Sequence, residues 1–141
     1  MRAFLRRLTR EHARADDMAQ DVFLLVHRKR EPLARVENVR GWLFRLAYRR
    51  FLDERRKTAR REALAPEPPE PVVGARGGTA LDVARAMDAL PPERRACALL
   101  VLAHGHTHAE AAAITALPLG TVKSHVARAK SALRESLHEY G

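Results

Sequence analysis

The stretch Thr107-His108-Ala109-Glu110-Ala111-Ala112-Ala113-Ile114-Thr115-Ala116-Leu117-Pro118-Leu119-Gly120-Thr121-Val122-Lys123-Ser124-His125-Val126-Ala127-Arg128-Ala129 holds a short helical segment followed by a long one. Thr107 and Glu110 have the Thr-x-x-Glu spacing in which a hydroxyl and a carboxylate satisfy orphan backbone N–H groups, so a helix starts there and ends near Ala116. A second helix is predicted from about Gly120 to Glu139, because Val122, Val126, Ala129, Leu133 and Leu137 recur on one stripe. A short helix, a four-residue turn and a long helix make a helix-turn-helix. Ala112 is small where the two helices approach, Ala116 sits where the turn bends, and Val122 is the buried contact of the second helix. With 122, 126 and 129 inward, Lys123, Ser124, His125, Ala127 and Arg128 face outward near its start. That end suits the major groove, where Arg and Lys reach phosphates or guanine edges and Ser reaches either. An ordinary solvated amphipathic face would have the same spacing, so pattern alone leaves both readings open.

Upstream, Pro92–His104 reads as a helix stopped by Gly105, and Ala80–Leu90 as another with Val83, Met87 and Leu90 on one side. Glu62–Thr79 breaks all periodicity. It holds Pro66, Pro68, Pro69 and Pro71, then Gly74, Gly77 and Gly78, and reads as a linker. Three helices precede it. Arg2 to about Arg10 carries Phe4, Leu5 and Leu8. About Ala15 to Arg30 carries Met18, Val22, Leu25 and Val26, with acids early and bases late, as the helix dipole favours. After Pro32, Asn38 caps a third helix reaching Arg61, with Trp42, Leu43, Leu46, Ala47 and Phe51 apolar. No strand pattern occurs. The expected fold is all-α: a three-helix domain over 1–61, a linker over 62–79, and a four-helix domain over 80–141.

Charge divides the chain at the same place. Residues 1–61 carry 18 Lys/Arg against 8 Asp/Glu, and residues 62–141 carry 8 against 9, out of a net +9. The first half therefore attracts polyanions; nucleic acid is the natural candidate and an anionic membrane surface the competitor. No apolar run is long enough to insert in a membrane and no signal peptide follows the basic start, so a cytoplasmic location is expected. The single Cys97 lies in an apolar run and reads as a small buried hydrophobe.

The helix-turn-helix and its surroundings resemble a known family. Leu90-Pro91-Pro92-Glu93-Arg94-Arg95, the acidic first helix Thr107–Ala112, and Gly120-Thr121-Val122-Lys123-Ser124-His125 are similar to region 4 of extracytoplasmic-function (ECF) sigma factors. In the first half, Ala15-Asp16-Asp17-Met18-Ala19-Gln20-Asp21-Val22-Phe23 resembles their region 2, and Trp42-Leu43-Phe44-Arg45-Leu46-Ala47, with Asp53, Arg55 and Arg56, resembles their promoter-binding helix. The resemblance covers nearly the whole chain, in order. It implies an alternative sigma factor whose partners are core RNA polymerase, promoter DNA and an anti-sigma protein. Asp17, Gln20 and Asp21 would dock on the polymerase. The loop Glu31–Val39 would hold a flipped base of the −10 strand, with Arg45, Arg49, Arg50, Arg55, Arg56 and Lys57 holding that strand. Lys123, Ser124, His125, Ala127 and Arg128 would read the −35 element. Two domains packed together would suit a free or inhibited state.

The chain departs from the family at four places. Arg49 replaces the usual Asn, His125 the usual Arg, and Ala116 the usual turn Gly, the last costing about 1 kcal/mol if φ is positive. It also starts partway into the family's first helix, which implies a shortened region 2.

His104, His106 and His108 straddle a helix end and the next helix's cap, with no acidic or Cys ligand close by in sequence. They read as histidines of an interhelical loop rather than a metal site. No P-loop, dinucleotide fingerprint or catalytic triad is present, so no enzyme and no cofactor are expected. The alternatives are a stand-alone helix-turn-helix regulator, for which the region 2 resemblance has no use, and a decoy that mimics a sigma factor toward its anti-sigma protein. The density of Arg over 45–61 argues against the decoy.

Overall fold

The computed structural model describes residues 1–29, 35–64 and 79–138, and within these the side chains of 79–81 and 137–138 are left aside. All its described elements are helical. Helix α1 (Arg2–Thr9) buries Phe4, Leu5 and Leu8 and ends on Arg10 in the left-handed conformation, φ 60°. The Thr9 hydroxyl donates to Leu5 O at 2.8 Å and accepts from Glu11 N at 3.2 Å, which fixes the turn into α2 (His12–Arg28). That tight turn explains why α2 begins three residues before the expected Ala15. Arg6 clips the pair by donating to both carboxylate oxygens of Asp16, at 3.1 and 3.2 Å.

Helix α3 (Val39–Leu64) runs 26 residues, about 39 Å. It starts as expected, with Asn38 Oδ1 accepting from Gly41 N at 2.9 Å. Its buried positions are Phe44, Ala47, Tyr48 and Phe51. Trp42, Leu43 and Leu46 are only partly buried, a correction to the expected stripe. Phe44 and Tyr48 take their place because α3 is covered on two sides, by the first two helices and by the C-terminal half. The helix also runs past Arg61 to Leu64, and the next begins at Thr79, so both ends of the expected linker are helical. Residues 65–78, with their Pro and Gly clusters, lie outside the described residues, as do residues 31–34 of the loop Glu31–Val39.

In the C-terminal half, α4 (Thr79–Asp88) leads to α5 (Pro92–Ala98), which has Pro at its first position, where the missing N–H costs nothing. Helix α5 continues through a π turn over Leu99–Ala103, closed by His104 N donating to Leu99 O at 2.9 Å. Gly105 at φ 72° ends it, as expected from a residue without a Cβ. Then come α6 (His108–Thr115) and α7 (Leu119–His138), separated by a three-residue turn rather than four. The capping box is present: Glu110 N donates to Thr107 Oγ1 at 3.0 Å and Thr107 N to Glu110 Oε1 at 3.3 Å. Ala116 adopts φ 60°, which for a non-glycine costs about 1–2 kcal/mol. Ala111, not Ala112, is the fully buried small residue of α6. Val122, Val126 and Ala129 are buried as expected and Leu133 partly so, while the Leu137 side chain lies outside the described set.

The halves are packed on each other. Phe44 meets Phe4 (ring centroids 5.2 Å apart) within the first half and His104 (5.2 Å) and His106 (4.8 Å) of the second. Buried aromatic and apolar surface thus runs continuously across the seam.

Candidate nucleic-acid interface

The start of α7 is built by contrast between its faces. Val122 and Val126 are at most 2% exposed, and they fix the rotation of the helix so that Lys123, Ser124, Ala127 and Arg128 are exposed. Four of the five residues expected to face outward therefore do. His125 does not: its side chain is only 16% exposed and its Nε2 lies 3.5 Å from Glu93 Oε2 in the first turn of α5. Its position flanks the buried stripe, and Glu93, two residues after the Leu90-Pro91 corner, turns it inward. His125 braces the helix against α5 instead of presenting itself to DNA.

On α3 the six expected cations separate into two kinds. Arg45, Arg49, Arg55, Arg56 and Lys57 are exposed. Arg55 lies over the Phe51 ring at 5.8 Å, and Arg56 is 3.6 Å from Asp53. Arg50 is instead held by Asp21 at 3.0 Å and Glu54 at 3.1 Å. Burial alone would lower its pKa, but the hydrogen bonds it donates to both carboxylates prevail and raise it. Arg50 thus ties α3 to α2. Arg60 joins Arg56 and Lys57 around one depression, an addition that its spacing of four from Arg56 could have revealed. A second cleft of about 420 Å³ lies between α3 and the helix-turn-helix, with Arg45, Arg49 and Arg56 on one wall and Ile114, Thr115 and Ala116 on the other.

Asp17, Gln20 and Asp21 are all exposed on α2. Beside them stand Phe23 and Leu24, 50% and 57% exposed. Leu24 completes an i, i+3, i+4, i+7 row with Asp17, Gln20 and Asp21, so this face is mixed polar and apolar. The signal was available in the sequence, as two bulky apolar residues on the polar side of an amphipathic helix.

The histidine loop is not an ordinary one. His106 is 3% exposed, set edge-on to Phe44, with Nδ1 3.3 Å from Glu110 Oε2. Its acidic neighbour is thus four residues away, contrary to the expectation of none close by. Hydrogen bonds from Thr107 and His106 hold the Glu110 carboxyl below the ordinary range. Among the described residues no cluster of three or more His, Cys, Asp or Glu side chains could hold a metal. No described helix is long and apolar enough to cross a membrane. Cys97 is wholly buried, and burial first, then Glu93, pushes its thiol up to about 11.

Residues 1–61 match the family of sigma-70 region 2, and residues 80–133 that of sigma-70 region 4. The ECF RNA polymerase sigma factor SigM of Mycobacterium tuberculosis is 35% identical to this chain, over 94% of this chain and 69% of its own length. EcfG of Rhodopseudomonas palustris is 30% identical, over 100% of this chain and 81% of its own. The chain belongs to the ECF family of RNA polymerase sigma factors. SigE of Mycolicibacterium smegmatis is 32% identical, and this ECF chain spans 56% of its length. The fold of this ECF sigma factor is similar to that of the sigma factor RpoE from Bartonella quintana, solved in complex with the anti-sigma factor NepR. That likeness has a TM-score of 0.82 at 28% identity and covers 97% of this chain and 89% of that one.

Proposed function

We propose that this chain binds core RNA polymerase and directs it to promoters, with residues 1–61 taking the polymerase and the −10 strand and residues 80–141 reading the −35 element. The observation that carries the reading is the start of α7. Lys123, Ser124, Ala127 and Arg128 are exposed there while Val122, Val126 and Ala129 anchor the helix from behind. Such an end can reach phosphates and base edges without disturbing its own domain. The exposed cations Arg45, Arg49, Arg55, Arg56 and Lys57 supply the second contact, to the separated strand. The row Asp17, Gln20, Asp21 and Leu24 supplies the polymerase contact.

An anti-sigma protein is the third partner of this proposal, supported by the capture of the Bartonella relative with one. The packed halves bear on it too. A compact chain of this length has a radius of gyration of about 14 Å. The −10 and −35 elements, about 25 base pairs apart at about 3.4 Å each, are separated by about 85 Å. The halves must therefore part before both elements are engaged, and the packed arrangement is that of a free or restrained protein.

The test is co-purification with core polymerase followed by run-off transcription. A start site that depends on the added chain supports the reading. A chain that binds an anti-sigma protein but neither polymerase nor promoter would make it a decoy.

A further inference from the structure

We propose that Arg95 and Arg40 form a two-point latch that holds the two halves closed, each arginine capping the C-terminal end of a helix in the other half. Arg95, in α5, sends Nη1 to Leu8 O in the last turn of α1 at 2.6 Å. Arg40, in the first turn of α3, sends Nη2 to the carbonyl of His104, where the π turn of α5 ends. The exchange is reciprocal, and both acceptors are orphan carbonyls at the negative end of a helix dipole, where a cation is favoured.

Arg95 suits a latch because it has partners on both sides. Its Nη2 also donates to Leu90 O at 2.8 Å and Asp88 O at 3.3 Å, at the end of α4 in its own half. The side chain is 4% exposed when closed. When the halves part, the bonds to its own half remain and only Leu8 O is exchanged for water. Opening therefore removes one charge-assisted bond without stranding a buried cation, which is what an element with two stable arrangements requires. Arg10 adds a weaker bond of the same kind, to Asp88 O at 3.5 Å. Arg40 also lies over the Phe44 ring at 5.2 Å, the ring that meets His104 and His106 across the seam. The latch therefore closes over the aromatic contact.

What the latch delays, the spanning of two promoter elements, rests on the function proposed above; the closure itself does not. The experiment measures closure alone. Cysteines introduced as Arg28→Cys and Ser131→Cys, both exposed sites, carry a fluorescent donor and acceptor on the full chain, while buried Cys97 stays unlabelled. The parent should give high transfer efficiency. Arg40→Gln and Arg95→Met should each raise the open fraction about tenfold or more, as loss of a charge-assisted bond implies, and the double variant should open further. Circular dichroism monitors folding; if Arg95→Met loses helicity, Arg40→Gln decides alone, since its carbonyl partner lies across the seam. A parent that is already open, or a folded Arg40→Gln as closed as the parent, would overturn the latch.

Discussion

Lys123 and Val122 are neighbours on α7 with opposite duties, and substitution should separate them. Lys123→Ala or Arg128→Ala should weaken binding to a −35 duplex, by about 1–3 kcal/mol for a base-edge contact and less for a phosphate. Helicity should be unchanged, because both side chains are exposed; fluorescence anisotropy with a circular dichroism control checks this. Val126→Asp, by contrast, buries an unpaired charge at a 2% exposed site and should unfold the C-terminal half. His104 carries a second prediction. Burial lowers its pKa, and the Met1 amine, Arg40 and His106 facing it lower it further; Phe4 and Phe44 pack on its ring, and Glu110 reaches His106. The closed state thus binds the proton less readily than the open one. Its stability is fully present above the ordinary histidine pKa of about 6.5 and is lost as pH falls through the depressed value. Transfer efficiency between the halves should therefore drop on acidification below about 6.5, and His104→Asn should remove that component of the response. An equal response in the variant would assign the effect elsewhere.

Among the elements, α2 and the turn before α7 make separable claims. Asp17→Lys with Asp21→Lys should weaken capture of core polymerase while leaving helicity intact. Asp21 also pairs with Arg50, but an exposed pair contributes only about 0–1 kcal/mol. Unchanged capture would remove the docking assignment. At the turn, Ala116→Gly should raise the melting temperature, because φ 60° is strained for alanine and open to glycine; a lowered melting temperature would show that the turn carries no strain. These elements were legible in the sequence because their signals are local. The Thr107–Glu110 box, the Asn38 cap, the Gly105 stop and the Val122/Val126/Ala129 stripe each lie within a few residues. His125 was misplaced because its partner, Glu93, lies 32 positions away on another helix, and spacing along α7 says nothing of it. Arg50 was counted with the free cations for the same reason: Asp21 lies on α2.

For the whole molecule, each half could be read from its own pattern, but the seam could not. Arg95 and Leu8 are 87 positions apart, and Arg40 and His104 are 64 apart. Phe44 belongs to a local sequence motif, and nothing local to it points to the histidine loop packed against its ring. The proposed parting of the halves requires length in the segment that joins Leu64 to Thr79. Its 14 residues can span at most about 50 Å, and the helices on either side add to that reach. The central claim, that this chain brings polymerase to a promoter and holds its melted −10 strand, is tested most directly by permanganate footprinting. Core polymerase and the purified chain would be assembled on a promoter recovered by genome-wide footprinting, and the reactivity of thymines in the −10 region read at several salt concentrations. The parent chain should make those thymines reactive, and replacing Arg49, Arg55 and Arg56 with Ala should weaken the signal and flatten its salt dependence. Polymerase that binds the parent chain yet leaves the −10 thymines unreactive would contradict the account.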